Sequence, residues 1–176
     1  LSRGLGDVYK RQVIAVPHNI VGPRQKYDDP FRNVMSIMLN RMLQGKQPII
    51  YGDGEQRRCF SYIDDCLYCL NALAFQENVV GEVVNIGPDE ESCTINDLAE
   101  MCANETGLNL DCLYHKDRPQ EVKIAVCSSD KARKLLGYKT STNVRQSVQK
   151  TAEYIRNRGT KKFQYHLPLE IINDKT

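Results

Sequence analysis

The chain has 176 residues, 41% hydrophobic and 26% charged, with a formal net charge of +2, which suits one globular domain or part of a larger one. So small a charge argues against nucleic acid or a membrane surface as partner, and no apolar run approaches the roughly 20 residues that span a bilayer. Seven scattered cysteines, an odd number, fit reduced, buried thiols in a cytoplasmic protein better than a disulfide framework.

The opening, LSRGLGDVYKRQ, fits badly with the rest of the chain. GDVYKRQ is similar to the translation of a transposase adapter from sequencing libraries, so residues 1–12 are set aside as non-native and native sequence is expected from near Val13. GLGDVY also lacks the third glycine and the preceding strand of a dinucleotide fingerprint. Val13 to Val16 is an apolar run stopped by Pro17 and predicts a buried strand. Gly22-Pro23 opens a polar loop. Asp29 as N-cap and Pro30 at the first helical position predict a helix. Its apolar stripe is Phe31, Val34, Met35, Met38, Leu39, Met42 and Leu43, and Gly45 closes it. Pro48 to Tyr51 predicts a strand, Gly52-Asp53-Gly54 a turn, and Cys59 to Ile63 a second strand.

Asp64 or Asp65 is expected to cap the next helix, where Cys66, Leu67, Leu70, Leu73 and Ala74 recur at helical spacing. Cys66-x-x-Cys69 has the spacing of a redox or metal pair, but no second such pair or spaced histidines accompany it. Both thiols are therefore assigned to the core, and no metal site is expected. Gly81 to Gly87 reads as a strand. Thr94 to Asp97 opens a helix as a capping box, and that helix runs to Gly107. Leu110 to Tyr114 is a further strand. Ser128 or Ser129 with Asp130 caps a short helix stopped by Gly137. Val144 to Arg158 is a last amphipathic helix with Val144, Val148, Ala152 and Ile155 on one stripe. Residues 161–176 form a polar tail with one apolar patch, HLPLEII. Strands alternating with helices indicate an α/β protein.

Asn19 follows the first strand, and ligands of open α/β sheets bind at the carboxyl ends of strands. A turn-capping role competes with that reading. Arg58 offers the planar, permanently charged fork that a diphosphate needs. Arg57 beside it should face the other side of the strand. Asp64-Asp65 is read as a helix start and not as an acid–base pair, and His115 and His166 as surface or structural residues.

VPHNIVGPRQ (residues 16–25) and YGDGEQRRCFSYIDD (residues 51–65) together resemble the second half of a sugar-nucleotide epimerase or dehydratase of the extended short-chain dehydrogenase family. The likeness runs from about Val13 to Arg158. It implies an α/β fold that is the C-terminal part of an extended Rossmann-type protein, truncated at its N-terminus. On that reading residues 13–160 hold the end of the parallel sheet and a small α/β substrate lobe.

By the same resemblance, Asn19, Asn33, Val34, Arg58, Arg118 and Glu121 are substrate-binding residues, while Pro17 and His18 lie along the nicotinamide ring. Arg118-Pro119-Gln120-Glu121 is similar to the family's Arg-Pro-Gly-Asp, whose acid takes the ribose diol. A carboxylate suits that task because it accepts two hydrogen bonds. The chain departs from the pattern at Val16, where Arg is usual, at Cys59, often Asp, and at Gln120 and Glu121. The activity implied for the intact protein is 4-epimerisation of a UDP-sugar by transient oxidation with NAD, in a homodimer. A dTDP-glucose 4,6-dehydratase or UDP-glucuronate decarboxylase is the alternative, and a non-catalytic nucleotide-sugar-binding module the rival of another class. The family's catalytic Tyr-x-x-x-Lys is expected upstream, because no tyrosine here is followed by lysine four positions on. The chain alone is therefore expected to be inactive.

Overall fold

The computed structural model describes residues 12–163. All of the adapter-like segment but Gln12, and the HLPLEII patch with His166, lie outside the described residues. In chain order the elements are β1 (Ile14–Pro17), β2 (Ile20–Val21), α1 (Val34–Met42), β3 (Ile49–Tyr51), β4 (Arg57–Arg58), β5 (Ser61–Tyr62), α2 (Ile63–Phe75), β6 (Val83–Ile86), β7 (Cys93–Thr94), α3 (Ile95–Thr106), β8 (Leu113–His115), β9 (Ile124–Ala125), α4 (Asp130–Leu136) and α5 (Val144–Arg158). The fold is α/β. The chain divides into two interleaved units.

The first unit takes the chain up to Ile20, then Cys59–Ser92 and Val126–Val144. Its β1 and β6 run parallel, with Ile14 opposite Val83 and Pro17 opposite Ile86. Alternation sends Val84 and Ile86 to one face, where they join Cys66, Cys69 and Leu73 of α2 and Ala132 and Leu136 of α4 in one core cluster. Val13 and Ala15 pack against it from β1. The expectation of a fully buried first strand is corrected here. Ile14 and Val16 are 51% and 43% exposed, because within the unit that core covers only one face of the strand pair.

Helix α2 buries Cys66, Cys69, Ala72 and Leu73, while Leu67 and Leu70 of the expected stripe are exposed. The i, i+3 spacing puts both thiols on the inward face. Neither aspartate caps this helix: Tyr62 is its N-cap, and Asp64 and Asp65 lie in its first turn. Asp65 is buried and accepts hydrogen bonds from the Ser141 backbone N (3.1 Å), the Thr142 backbone N (3.3 Å) and the Ser141 hydroxyl. It fixes a loop.

The second unit takes Val21–Arg58, Cys93–Ala125 and the chain from Arg145. Helices α1 and α3 pack together, burying Met35, Met38, Leu39 and Met42 from one and Leu98, Ala99, Cys102 and Ala103 from the other. Strands β3 and β8 pair in parallel. A second small sheet has the order β7-β4-β9, antiparallel on the β7 side and parallel on the β9 side. Helix α5 occupies the expected residues and buries the expected stripe.

Three boundaries differ from expectation. Helix α1 starts at an Asn33 N-cap, four residues later than Asp29. The Asp29 carboxylate instead accepts from the Phe31 backbone N at 3.0 Å, so a separate turn precedes the helix and Phe31 is 64% exposed. The strand expected over Cys59 to Ile63 is shortened to β5, since α2 takes Ile63, and β4 at Arg57–Arg58 precedes it. Strand β8 lies three residues later than Leu110 at its start. Strands β7 and β9 are two residues each, too short for side-chain alternation to announce.

Candidate functional site

The site is built from a glycine turn, a short strand and a second turn, all in the second unit. Gly52 and Gly54 have φ of +72° and +76°, a region that side chains other than glycine's disfavour. A Cβ on Gly54 would come within 2.1 Å of the Asn96 amide oxygen. Asn96, at the start of α3, donates to the Asp53 carbonyl (3.0 Å) and the Glu55 carboxylate (2.7 Å). Its own oxygen accepts from the Tyr114 hydroxyl at 3.2 Å. The turn is thus tied down just before the chain enters β4.

β4 is the central strand of its sheet. Arg57 is exposed on it and the Arg58 side chain is only 15% exposed, the alternation expected of a strand. The Arg58 guanidinium donates to the Arg57 carbonyl (2.8 Å), the Lys123 carbonyl (3.4 Å) and the Glu121 carboxylate (2.9 Å). Arg118 lies over the ring of Tyr51, 4.0 Å from its centroid, and His115 is tilted against the same ring at 5.9 Å. Arg118, Pro119, Gln120 and Glu121 form a turn closed by the Glu121 backbone N donating to the Arg118 carbonyl at 3.3 Å, with Gln120 at φ +60°.

Arg58, Arg118, Pro119, Gln120, Glu121, Val122 and Ala125 line one open cleft of about 620 Å³. Two arginines far apart in sequence therefore line the same cleft. They present planar, permanently charged donors, which is what a polyanionic ligand such as a diphosphate requires. The ion pair between Arg58 and Glu121 and the two carbonyls orient one of these forks.

The other expected residues are placed elsewhere. Asn33 uses its side-chain oxygen to accept from the Met35 backbone N at 3.0 Å as the cap of α1, and Val34 is the first residue of that helix. Neither lines this cleft. Pro17, His18 and Asn19 belong to the first unit, at the carboxyl end of β1. There the His18 backbone N donates to the Ile86 carbonyl at 2.8 Å, and the Ser61 hydroxyl donates to the His18 carbonyl. A Cβ on Gly87 would meet the Ser61 hydroxyl at 2.6 Å and His18 Cβ at 3.2 Å, so the backbone there is closely packed. Asn19 takes φ +42°, tolerable for Asn, and its amide donates to the Cys59 carbonyl at 3.0 Å.

Sequence reasoning passed over Tyr51, which supports Arg118, and Asn96, which secures the glycine turn. The signal for Tyr51 was its position immediately before Gly52. Nothing local announces Asn96, because its partners lie some forty residues away. Among the described residues no group of three His, Cys, Asp or Glu could hold a metal ion, and no helix is long and apolar enough to cross a membrane.

Residues 7–151 match the family described as GDP-mannose 4,6 dehydratase; the match begins inside the adapter-like segment. A UDP-glucose 4-epimerase of Thermotoga maritima, solved with UDP-glucose, aligns with TM-score 0.75 and 31% identity over 83% of this chain and 46% of its own. A UDP-glucuronic acid 4-epimerase of Bacillus cereus, solved with UDP-glucuronic acid and NAD, aligns with TM-score 0.76 and 31% identity over 84% of this chain and 46% of its own. A UDP-N-acetyl-alpha-D-glucosaminuronate decarboxylase of Bacillus cytotoxicus is 42% identical over 82 residues, 47% of this chain and 25% of the relative. The chain spans about half the length, or less, of the curated relatives it matches. It belongs to the GDP-mannose 4,6 dehydratase family, among the NAD-dependent epimerases and dehydratases of the extended short-chain dehydrogenase class.

Proposed function

We propose that the chain is the substrate-binding half of a nucleotide-sugar 4-epimerase that acts on a UDP-sugar by transient oxidation with NAD. The observation that carries the reading is the cleft shared by Arg58 and Arg118. There the two guanidinium groups would neutralise the diphosphate from two directions, and Glu121 keeps Arg58 aimed. Asn19 would meet the sugar. The similarity to 4-epimerases solved with UDP-sugars supports the choice of substrate class.

The carboxyl end of β1 fits a nicotinamide cofactor, because Pro17 exposes an apolar surface on a backbone fixed by Ile86, Ser61 and the close approach of Gly87. NAD, when bound there, would supply reversible hydride acceptance at the carbinol carbon. Pro17 and His18 would orient it and exclude water. Proton transfer at the sugar hydroxyl is not assigned to any residue of this chain. A decarboxylase is the second reading, favoured by the 42% identity to a UDP-sugar decarboxylase over 82 residues.

The test is UDP affinity of the wild-type chain and of Arg58→Ala by titration calorimetry. Hydrogen bonds to charged groups contribute roughly 1.5 to 3 kcal/mol, so the variant should bind about tenfold more weakly or worse. Equal affinities, or no binding by the wild type, would end the proposal.

A further inference from the structure

Helix α1 buries two faces. Met35, Met38, Leu39 and Met42 form the apolar one, while Ser36 and Asn40 form a second, polar one. A buried carboxamide has to satisfy its donors and its acceptor within the protein. Asn40, which is fully buried, does so on backbone groups alone. Its oxygen accepts from the Lys161 backbone N at 3.0 Å, and its amide donates to the Lys161 carbonyl at 2.8 Å and the Tyr27 carbonyl at 3.0 Å. Asn40 thus pairs with residue 161 much as a neighbouring strand would. The Gln44 amide, just beyond the helix, donates to the same Lys161 carbonyl at 3.1 Å.

Residues 159–161 therefore double back from the end of α5 onto α1. Gly159 takes φ +83° with nothing within 4 Å of where a Cβ would stand, so the reversal of the chain, and not packing, calls for glycine there. Tyr27 completes the fastening. Its hydroxyl donates to the Gly159 carbonyl at 2.9 Å, and its ring meets Tyr154 of α5 edge-on with centroids 6.4 Å apart. Lys161 Nζ lies 5.1 Å from the centre of the same ring.

These fastenings are hydrogen bonds and ring contacts around an exposed residue, so the segment can open without unfolding the helices behind it. The resemblance assigns Asn33 and Val34, at the start of α1, to substrate binding. Asn33 stands seven residues before Asn40, two turns along the same side of the helix. A restraint on Asn40 is therefore a restraint on the end of α1 that would meet the ligand.

We infer that residues 159–161 are a strap and Asn40 its clasp, a positioning residue that holds α1 where Asn33 and Val34 meet the nucleotide, so that strap closure and nucleotide binding favour one another. The inference rests on the UDP-binding reading and deepens it. Asn40 is buried and acts through the helix.

Coupling of this kind is reciprocal, and the experiment reads it from both sides. Titration calorimetry with UDP compares the wild-type chain, a chain ended after Phe163, a chain ended after Gly159, and Asn40→Asp. The Phe163 ending keeps the strap and should bind UDP as the wild type does. The Gly159 ending removes Lys161, and Asn40→Asp sets a carboxylate against two carbonyls; each should weaken UDP binding roughly fivefold or more. In the wild-type chain, saturating UDP should slow hydrogen exchange at the Lys161 amide by the factor that the Gly159 ending loses in affinity. A strap with no tie to the ligand would open equally often with and without UDP. Unchanged affinity at the Gly159 ending, a loss already present at the Phe163 ending, or Lys161 exchange indifferent to UDP overturns the inference and leaves UDP binding standing. The exchange measurement uses the wild-type chain, so it decides even where a variant does not fold. Failure of the wild type to bind UDP removes the strap's role together with the reading beneath it.

Discussion

Burial holds the Cys66 and Cys69 thiols protonated. Loss of solvent raises Cys66 to about 12, with the neighbouring Cys69 adding to the effect, and raises Cys69 to about 11. An unfolded thiol ionises near 8.5. Stability from these two groups is therefore fully present below about 8.5 and is lost as pH rises from there toward the folded values, because only the unfolded chain then releases the protons. Urea midpoints measured from pH 7 to 10 should fall above about 8.5, and Cys66→Ala/Cys69→Ala should flatten that decline. A midpoint independent of pH over the range would contradict the burial. Limited alkylation read by mass spectrometry should mark the half-exposed Cys112 and Cys127 before Cys66, Cys69 and Cys102. The same burial accounts for the Cys-x-x-Cys motif without metal or redox chemistry.

At the level of elements, short-range hydrogen bonds set the boundaries. Thr94 accepts from the Asp97 backbone N at 2.9 Å and Asp97 accepts from the Thr94 backbone N at 2.9 Å, the reciprocal box that the sequence announced. Thr94→Ala should cost about 1 kcal/mol in chemical denaturation. The Asp97 carboxyl is held below its ordinary value, first by the Thr94 backbone N–H and then by the Thr94 hydroxyl. Its contribution is present above the usual carboxylate range, near 4, and is lost as pH falls through the lowered folded value. Removing the box with Asp97→Asn should therefore matter less in strong acid than at neutrality. The start of α1 went the other way. Asp29-Pro30 and Asn33 are both good caps by residue type, and the choice fell to Asn33 because Asp29 closes its own turn onto Phe31. Two competing local signals cannot be ranked by residue type alone.

For the whole molecule, the proposed binding groups and the proposed reaction depend on different residues. The cleft residues and the carboxyl end of β1 lie in this chain, and the Tyr-x-x-x-Lys pair that the resemblance calls for does not. Incubation of the 176-residue chain with UDP-glucose and NAD should accordingly yield no UDP-galactose by liquid chromatography, although UDP should raise its Tm. Detectable epimer would show that residues within this chain carry the proton transfer. The residue types of the site were legible early, since Arg58 sits in one extended motif and Arg118 in a shorter one. Sequence alone determined the helices with strong apolar stripes, the thiols' inward face and the family, because each is written in spacing within a segment or in motifs met in order along the chain. Tertiary structure alone decided that Arg58 and Arg118 share a cleft, that Glu121 holds Arg58 from 63 positions further along the chain, and that Asn96 locks the glycine turn. Those pairings close long loops of chain, and no periodicity within a single segment encodes which distant groups will meet.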